Sequence, residues 1–212
     1  MRSVSDEDLT ARARIRNAAL AMLSERGIKA TTIRAVAEAA GVSPALVQHH
    51  FGSKEKLREA CDEYVMDYIR GATRTAIDDR HLDDPEFLSS TYETAPPVMA
   101  YLGRALVDGS PAAAAMFDEI VDITERYLKQ HAEKPLSDNR AQAAVFTAMK
   151  LGVTVLHNHV ARALGADALN GDAIHRVGRA GLDIISPEFV GKDIVDLARD
   201  GISRYQQGES DE

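Results

Sequence analysis

The spacing Ala37-x3-Gly41-x5-Val47 constrains this chain more than any other stretch. It sits between two short segments that both read as helices. Thr32 can cap the first, whose apolar face is Ile33, Val36, Ala37 and Ala40. Ser43 can cap the second, with Pro44 at the first helical position, where a missing N–H costs nothing. A small residue at Ala37 lets the two helices approach closely, Gly41 supplies positive φ in the tight turn, and Val47 plugs the seam. The predicted arrangement is a helix-turn-helix, whose second helix enters a DNA major groove. The triplet alone also fits other helical hairpins.

If Val47 and Phe51 point inward, helical geometry turns Pro44, Ala45, Gln48 and His49 outward. The amide of Gln48 can read adenine in a bidentate manner, and Ala45 and Leu46 can meet thymine methyls. His49 can donate to a phosphate or a base acceptor. Thr32 and Ser43 lie at helix N-termini, which suit phosphate, and Arg34 lies in the first turn of its helix. Gly52-Ser53 ends the second helix, and Lys54 opens the next as a phosphate clamp. The bland alternative makes Gln48 and His49 ordinary surface residues.

Charge decides where a polyanion could bind. The 212-residue chain has a formal net charge of −8, yet residues 1–58 hold 10 Lys/Arg against 6 Asp/Glu, net +4. Residues 59–212 hold 15 against 27, net −12. A basic head on an acidic body points to the head alone as the part that meets nucleic acid, with chance clustering of charge the bland alternative. No uncharged apolar stretch of about 18 residues appears, so no membrane span or membrane partner is expected. The start is too charged to read as a signal peptide, so none is expected. The single Cys61 lies on an apolar helical stripe and reads as a buried small hydrophobe in a reducing, cytoplasmic protein.

Helical spacing dominates elsewhere, and no β-alternation or repeat is found, so the fold class is all-α. Ile15, Ala18, Ala19, Met22 and Leu23 form one face, with Gly27 a stop. A helix from Ser53 carries Leu57, Ala60, Cys61, Tyr64, Val65 and Tyr68, with Leu57 facing the head and Tyr64, Val65 and Tyr68 reaching the body. A break falls at 78–85, and a segment 85–108 is interrupted by Pro96-Pro97. A helix opens at Ser110-Pro111, the loop EKPLSD follows, and one long helix is predicted over about 139–164. Helices near 172–185 and 188–206 come next, and the tail QQGESDE should fray.

The stretches AALAMLSERG, TTIRAVAEAAGVS and HHFGSKEKL, within Ile15–Tyr68, resemble the TetR family of bacterial transcriptional regulators. That resemblance implies a three-helix DNA-binding head, here residues 1–57, and an all-helical ligand-binding and dimerisation body, 58–212. It implies a homodimer, or a pair of dimers, on a palindromic double-stranded operator, and most members of the family repress until a small-molecule effector releases them. Two departures stop the operator sequence from being carried over. Gln48 stands where many members have Tyr, and Pro44 and Ala45-Leu46 replace the usual residue types.

The body offers candidates rather than motifs. Met99, Met116, Phe117, Phe146, Met149 and His157 could line an effector cavity, although at helical spacing such residues are more often plain core. Val145, Met149 and Leu156 form one of two apolar faces of the long helix and are candidates for a dimer seam. In His157-Asn158-His159 the two histidines point apart on a helix, so no metal is expected, and no cofactor motif or catalytic triad can be singled out. A competing reading is an all-α small-molecule carrier or enzyme whose hairpin only resembles a DNA reader. A second is an architectural DNA-binding protein without a ligand.

Overall fold

The computed structural model describes residues 6–109, 111–131, 138–184 and 192–209. Among these the regular structure is helical and no strand occurs. The helices are α1 (Asp6–Ala30), α2 (Ile33–Ala40), α3 (Pro44–Phe51), α4 (Lys54–Thr73), α5 (Pro85–Asp108), α6 (Pro111–His131), α7 (Asn139–Val155), α8 (His157–Ala163), α9 (Gly171–Ile184) and α10 (Lys192–Glu209). A π turn, Arg74–Asp78, follows α4 directly. The chain divides into two compact units. One is Met1–Ile69 with Pro97–Ala113, and the other is Arg70–Pro96 with Ala114–Glu212.

In the first unit α1, α2 and α3 pack around Ile15, Ala19, Val36, Ala37, Val47 and Phe51, all buried. Gly27 does break the helix, with φ 73° and ψ 174°, but the chain then resumes a helical turn to Ala30. Thr31 stabilises that kink: its buried hydroxyl donates to the Gly27 carbonyl at 2.9 Å. Helix α4 buries Leu57, Cys61 and Val65, as its stripe predicts, and also Met66. Tyr64 differs from expectation, because its ring lies 3.6 Å beneath the Arg16 guanidinium of α1. The 97–113 segment joins this unit through Tyr101, whose hydroxyl donates to Asp62 at 2.5 Å while Arg58 pairs with the same carboxylate at 2.7 Å. Burial pushes the Asp62 carboxyl above the usual range, opposed by those two partners.

The predicted interruption at Pro96-Pro97 does not occur, since α5 is continuous through both prolines. Proline removes donors and crowds the preceding turn, yet its fixed φ is helical. Burial of Val98, Tyr101 and Leu102 immediately afterwards offsets that cost. The two prolines instead mark the point where the chain passes from the second unit to the first.

The second unit is centred on Val121, Leu128 and Ala143, against which Phe117, Tyr127 and Ala144 pack. Thr147 is buried there and meets the Thr124 hydroxyl at 3.2 Å. Buried His175 of α9 packs edge-on to Tyr92, with centroids 4.6 Å apart. Arg140 bridges to Asp122 and Glu125 of α6.

The predicted single helix over 139–164 is two helices, α7 and α8, split at Leu156. The apolar periodicity runs through the break, so periodicity alone could not find it. The local chemistry does account for it. Gly152 followed by β-branched Val153, Thr154 and Val155 is a weak helix former. His157 Nδ1 then lies 2.9 Å from the Thr154 carbonyl, competing for the acceptor. Residues 206–209 of the tail that was expected to fray are helical, because α10 extends to Glu209. That helix is held by buried Ile194, by Gly201 against the Leu82 carbonyl, and by the Arg204–Asp83 pair. Residues 133–137 of the EKPLSD loop and 210–212 of the tail lie outside the described residues.

Candidate nucleic-acid interface

Three caps set the geometry of the head. The Thr32 hydroxyl oxygen accepts from the Ala35 amide at 3.2 Å, Ser43 from Leu46 at 3.2 Å, and Ser53 from Lys56 at 3.2 Å. Each hydroxyl is thereby fixed as an acceptor, and its own proton stays available for an outside oxygen. Between α2 and α3, Gly41 adopts φ 66° and ψ 39°. The Val42 amide then reaches back to the Ala37 carbonyl at 2.9 Å and the Gly41 amide to Glu38 at 3.1 Å, closing α2. A side chain at Gly41 would meet no neighbour, so the glycine is needed for its backbone conformation rather than for space.

With Val47 and Phe51 buried, the outward face of α3 consists of exposed Pro44, Ala45, Gln48 and His49, preceded by exposed Ser43. Thr32 and Arg34 are exposed at the start of α2, and Lys54 is half-buried at the start of α4. Every residue chosen from the sequence as a DNA contact therefore belongs to this head. One interaction escaped the sequence reading: the Arg12 guanidinium sits 5.0 Å from the Phe51 ring centroid, bracing the end of α3 from α1. An i, i+4 pattern could not reveal it, because the partners are 39 residues apart. His50 points partly inward, and its Nε2 is buried without a hydrogen-bond partner among the described residues.

The body candidates are scattered. Met99 belongs to the first compact unit and the other five to the second. Met116 is buried, Phe117 packs on the Val121–Leu128 core, and Phe146 is half-buried with the Lys150 ammonium 5.7 Å from its centroid. Met149 and His157 are exposed. Val145, Met149 and Leu156 are 60%, 56% and 51% exposed, far more than large apolar side chains in a core. The second unit does contain an open cleft of about 440 Å³, lined by residues of α4, the π turn and α6, and none of the six candidates lines it. Among the described residues, no helix is long and apolar enough to cross a membrane.

A capped hairpin with a buried Val–Phe seam and an exposed polar face on its second helix defines a helix-turn-helix protein of the kind that reads duplex DNA. Residues 15–61 match the family model described as "Bacterial regulatory proteins, tetR family", and residues 93–187 match "Tetracyclin repressor-like, C-terminal domain". The chain belongs to the TetR family of transcriptional regulators.

It is 42% identical over 142 residues to the HTH-type transcriptional regulatory protein RaaS of Mycobacterium tuberculosis, covering 64% of this chain and 66% of that one. It is 37% identical over 60 residues to the HTH-type transcriptional repressor KstR2 of the same organism, covering 28% and 30%. The chain thus aligns with just under two thirds of the first relative's length and less than a third of the second's. Among solved structures, full-length Tylp, a TetR regulator from Streptomyces fradiae, superposes with a TM-score of 0.63 at 23% identity, over 96% of this chain and 99% of that one. These relatives are transcriptional regulators, which disfavours the carrier-or-enzyme reading.

Proposed function

We propose that this chain is a repressor that binds a palindromic operator as a homodimer in the cytoplasm and is released when a small molecule binds its body. The observation that carries the reading is the face of α3, where buried Val47 and Phe51 leave Gln48 and His49 exposed. On that face Gln48 chooses bases, while Thr32, Arg34, Ser43, His49 and Lys54 hold the backbone or its neighbouring base edges. Pro44 and Ala45 supply the apolar contact. The exposed Val145, Met149 and Leu156 support a second copy as the partner that covers them. The size of the body and its match to a tetracyclin-repressor-like C-terminal domain support a ligand.

Selection of DNA by the purified protein, followed by sequencing, tests the reading. An inverted repeat with half-sites about one helical turn apart, or a multiple of it, is expected. Selection of no shared sequence would remove the operator from the proposal.

A further inference from the structure

The cleft in the second unit is built from two walls. One comes from the end of α4 and the π turn and contributes Arg70, Arg74 and Ile77. The other comes from α6 and contributes Glu119, Ile123, Arg126 and Tyr127. The π turn shapes the first wall: its i→i−5 bond, Asp79 amide to Arg74 carbonyl at 3.0 Å, replaces the tighter α pattern.

Five charged side chains line the cleft: three guanidiniums and the carboxylates of Asp78 and Glu119. Arg70 already grips Glu119 through two bonds of 2.5 and 2.8 Å. Those two groups neutralise each other. Two guanidiniums then face one carboxylate, and the cleft carries one surplus positive charge. Among the described residues, no carboxylate forms an ion pair with Arg74 or Arg126. Ile77, Ile123 and Tyr127 give the same cleft an apolar and aromatic wall.

We infer that this cleft is the effector site and that its ligand class is an amphipathic monocarboxylate, its head held by Arg74 and Arg126 and its apolar part laid on Ile77, Ile123 and Tyr127. The assignment rests on the reading of the chain as a ligand-released regulator. A planar carboxylate suits a guanidinium fork. A cation would meet the surplus positive charge, and a neutral ligand would leave it uncompensated. The body's overall net charge of −12 does not oppose an anion here, because charges beyond about 8–10 Å are screened and the nearest groups decide. A volume of about 440 Å³ lies within the range of roughly 300–1,000 Å³ that small-molecule sites occupy.

The site lies on the element that leads into the head. Helix α4 starts at Lys54 and ends at Thr73, and Arg70, Thr73 and the π turn line the cleft. A ligand that draws Arg74 toward Arg126 acts on the end of that helix.

Calorimetric titration of the full chain with 4-phenylbutyrate, 4-phenyl-1-butanol, 4-phenylbutylamine and inorganic phosphate tests the assignment. The carboxylate is expected to bind about tenfold or more tightly than the alcohol, with the amine weaker still and phosphate alone undetected. Replacing both arginines (Arg74→Gln with Arg126→Gln) should remove that preference while alcohol binding and helicity by circular dichroism persist. Equal binding of carboxylate and alcohol, an undiminished preference in the double variant, or tight binding of phosphate alone would overturn the ligand class.

Operator affinity, measured with and without saturating 4-phenylbutyrate, separates this proposal from the reading beneath it. Arginine-dependent binding that leaves operator affinity unchanged keeps the site and defeats release. Release by any other compound that the double variant does not blunt defeats the site and keeps the reading.

Discussion

Gln48 and Lys54 are six residues apart and are assigned different work. Gln48 stands exposed on α3, where its amide can meet a base edge, whereas Lys54 is half-buried at the first position of α4. Gln48→Ala is expected to cost about 1–3 kcal/mol on the preferred operator and to relax one base position. Lys54→Ala should weaken all sequences alike and lower the salt slope by roughly one. Fluorescence anisotropy on specific and random duplexes at several salt concentrations checks both, and equal losses on both duplexes would abolish the division of roles.

Cys61 gives a second expectation at this scale. It is fully buried, its thiol lies 3.8 Å from the Arg16 carbonyl, and desolvation, aided by Asp62, pushes its pKa up to about 12. Near pH 8 only roughly one thiol in 10⁴ would then be ionised, so alkylation should be negligible in the native protein and rapid in denaturant. Fast labelling of folded protein at pH 8 would contradict the burial.

Among the elements, α7 and the residue that ends it carry the clearest test. Val145 and Met149 on α7, Leu156 at its end and Ile184 at the end of α9 are the exposed large apolar side chains of these helices. A dimer formed through α7 and α9 would cover them. Leu156→Glu should therefore give a monomer by light scattering with helicity retained, because a carboxylate cannot be desolvated in an apolar seam without a partner. A dimer that survives the substitution moves the interface elsewhere. The break at Leu156 sharpens the choice: a residue at a helix end tolerates a polar side chain without loss of helix, so loss of dimer would report the seam rather than unfolding.

At the scale of the whole molecule, the proposed release of DNA by a ligand requires the two binding events to be linked. Helix α4 passes from the first compact unit to the second between Ile69 and Arg70, and α5 returns between Pro96 and Pro97. A ligand can shift operator binding only by its differential affinity for the two states. A coupling of about 1–3 kcal/mol, or roughly 5–150-fold, is expected, and DNA must weaken ligand binding by the same factor. Titration of DNA at zero and saturating effector, then of effector at zero and saturating DNA, measures both. Tyr68→Ala in α4 should reduce the coupling more than it reduces DNA affinity itself. Unequal factors would show that the two equilibria were not measured on one linked system, and an unaltered coupling in Tyr68→Ala would remove α4 as the lever.

The head was legible because its determinants are local. Capping by Thr32, Ser43 and Ser53, the turn at Gly41 and the inward pair Val47 and Phe51 all act over a few residues, so spacing alone placed Gln48 and His49 outside. The body was legible as helices but not as a site. Apolar periodicity states which faces avoid water and leaves open what covers them. It therefore ran α7 and α8 together across Leu156, treated Pro96-Pro97 as a break that packing of Val98 and Leu102 overrides, and left Met116 and Phe117 open between cavity and core, where both pack as core. The cleft depends on Arg70, Arg74 and Arg126 meeting from α4, the π turn and α6, across about 50 residues of chain. Such a juxtaposition leaves no local signal in sequence, because each arginine taken singly is an ordinary solvated side chain and only tertiary packing sets their charges against a shared apolar wall.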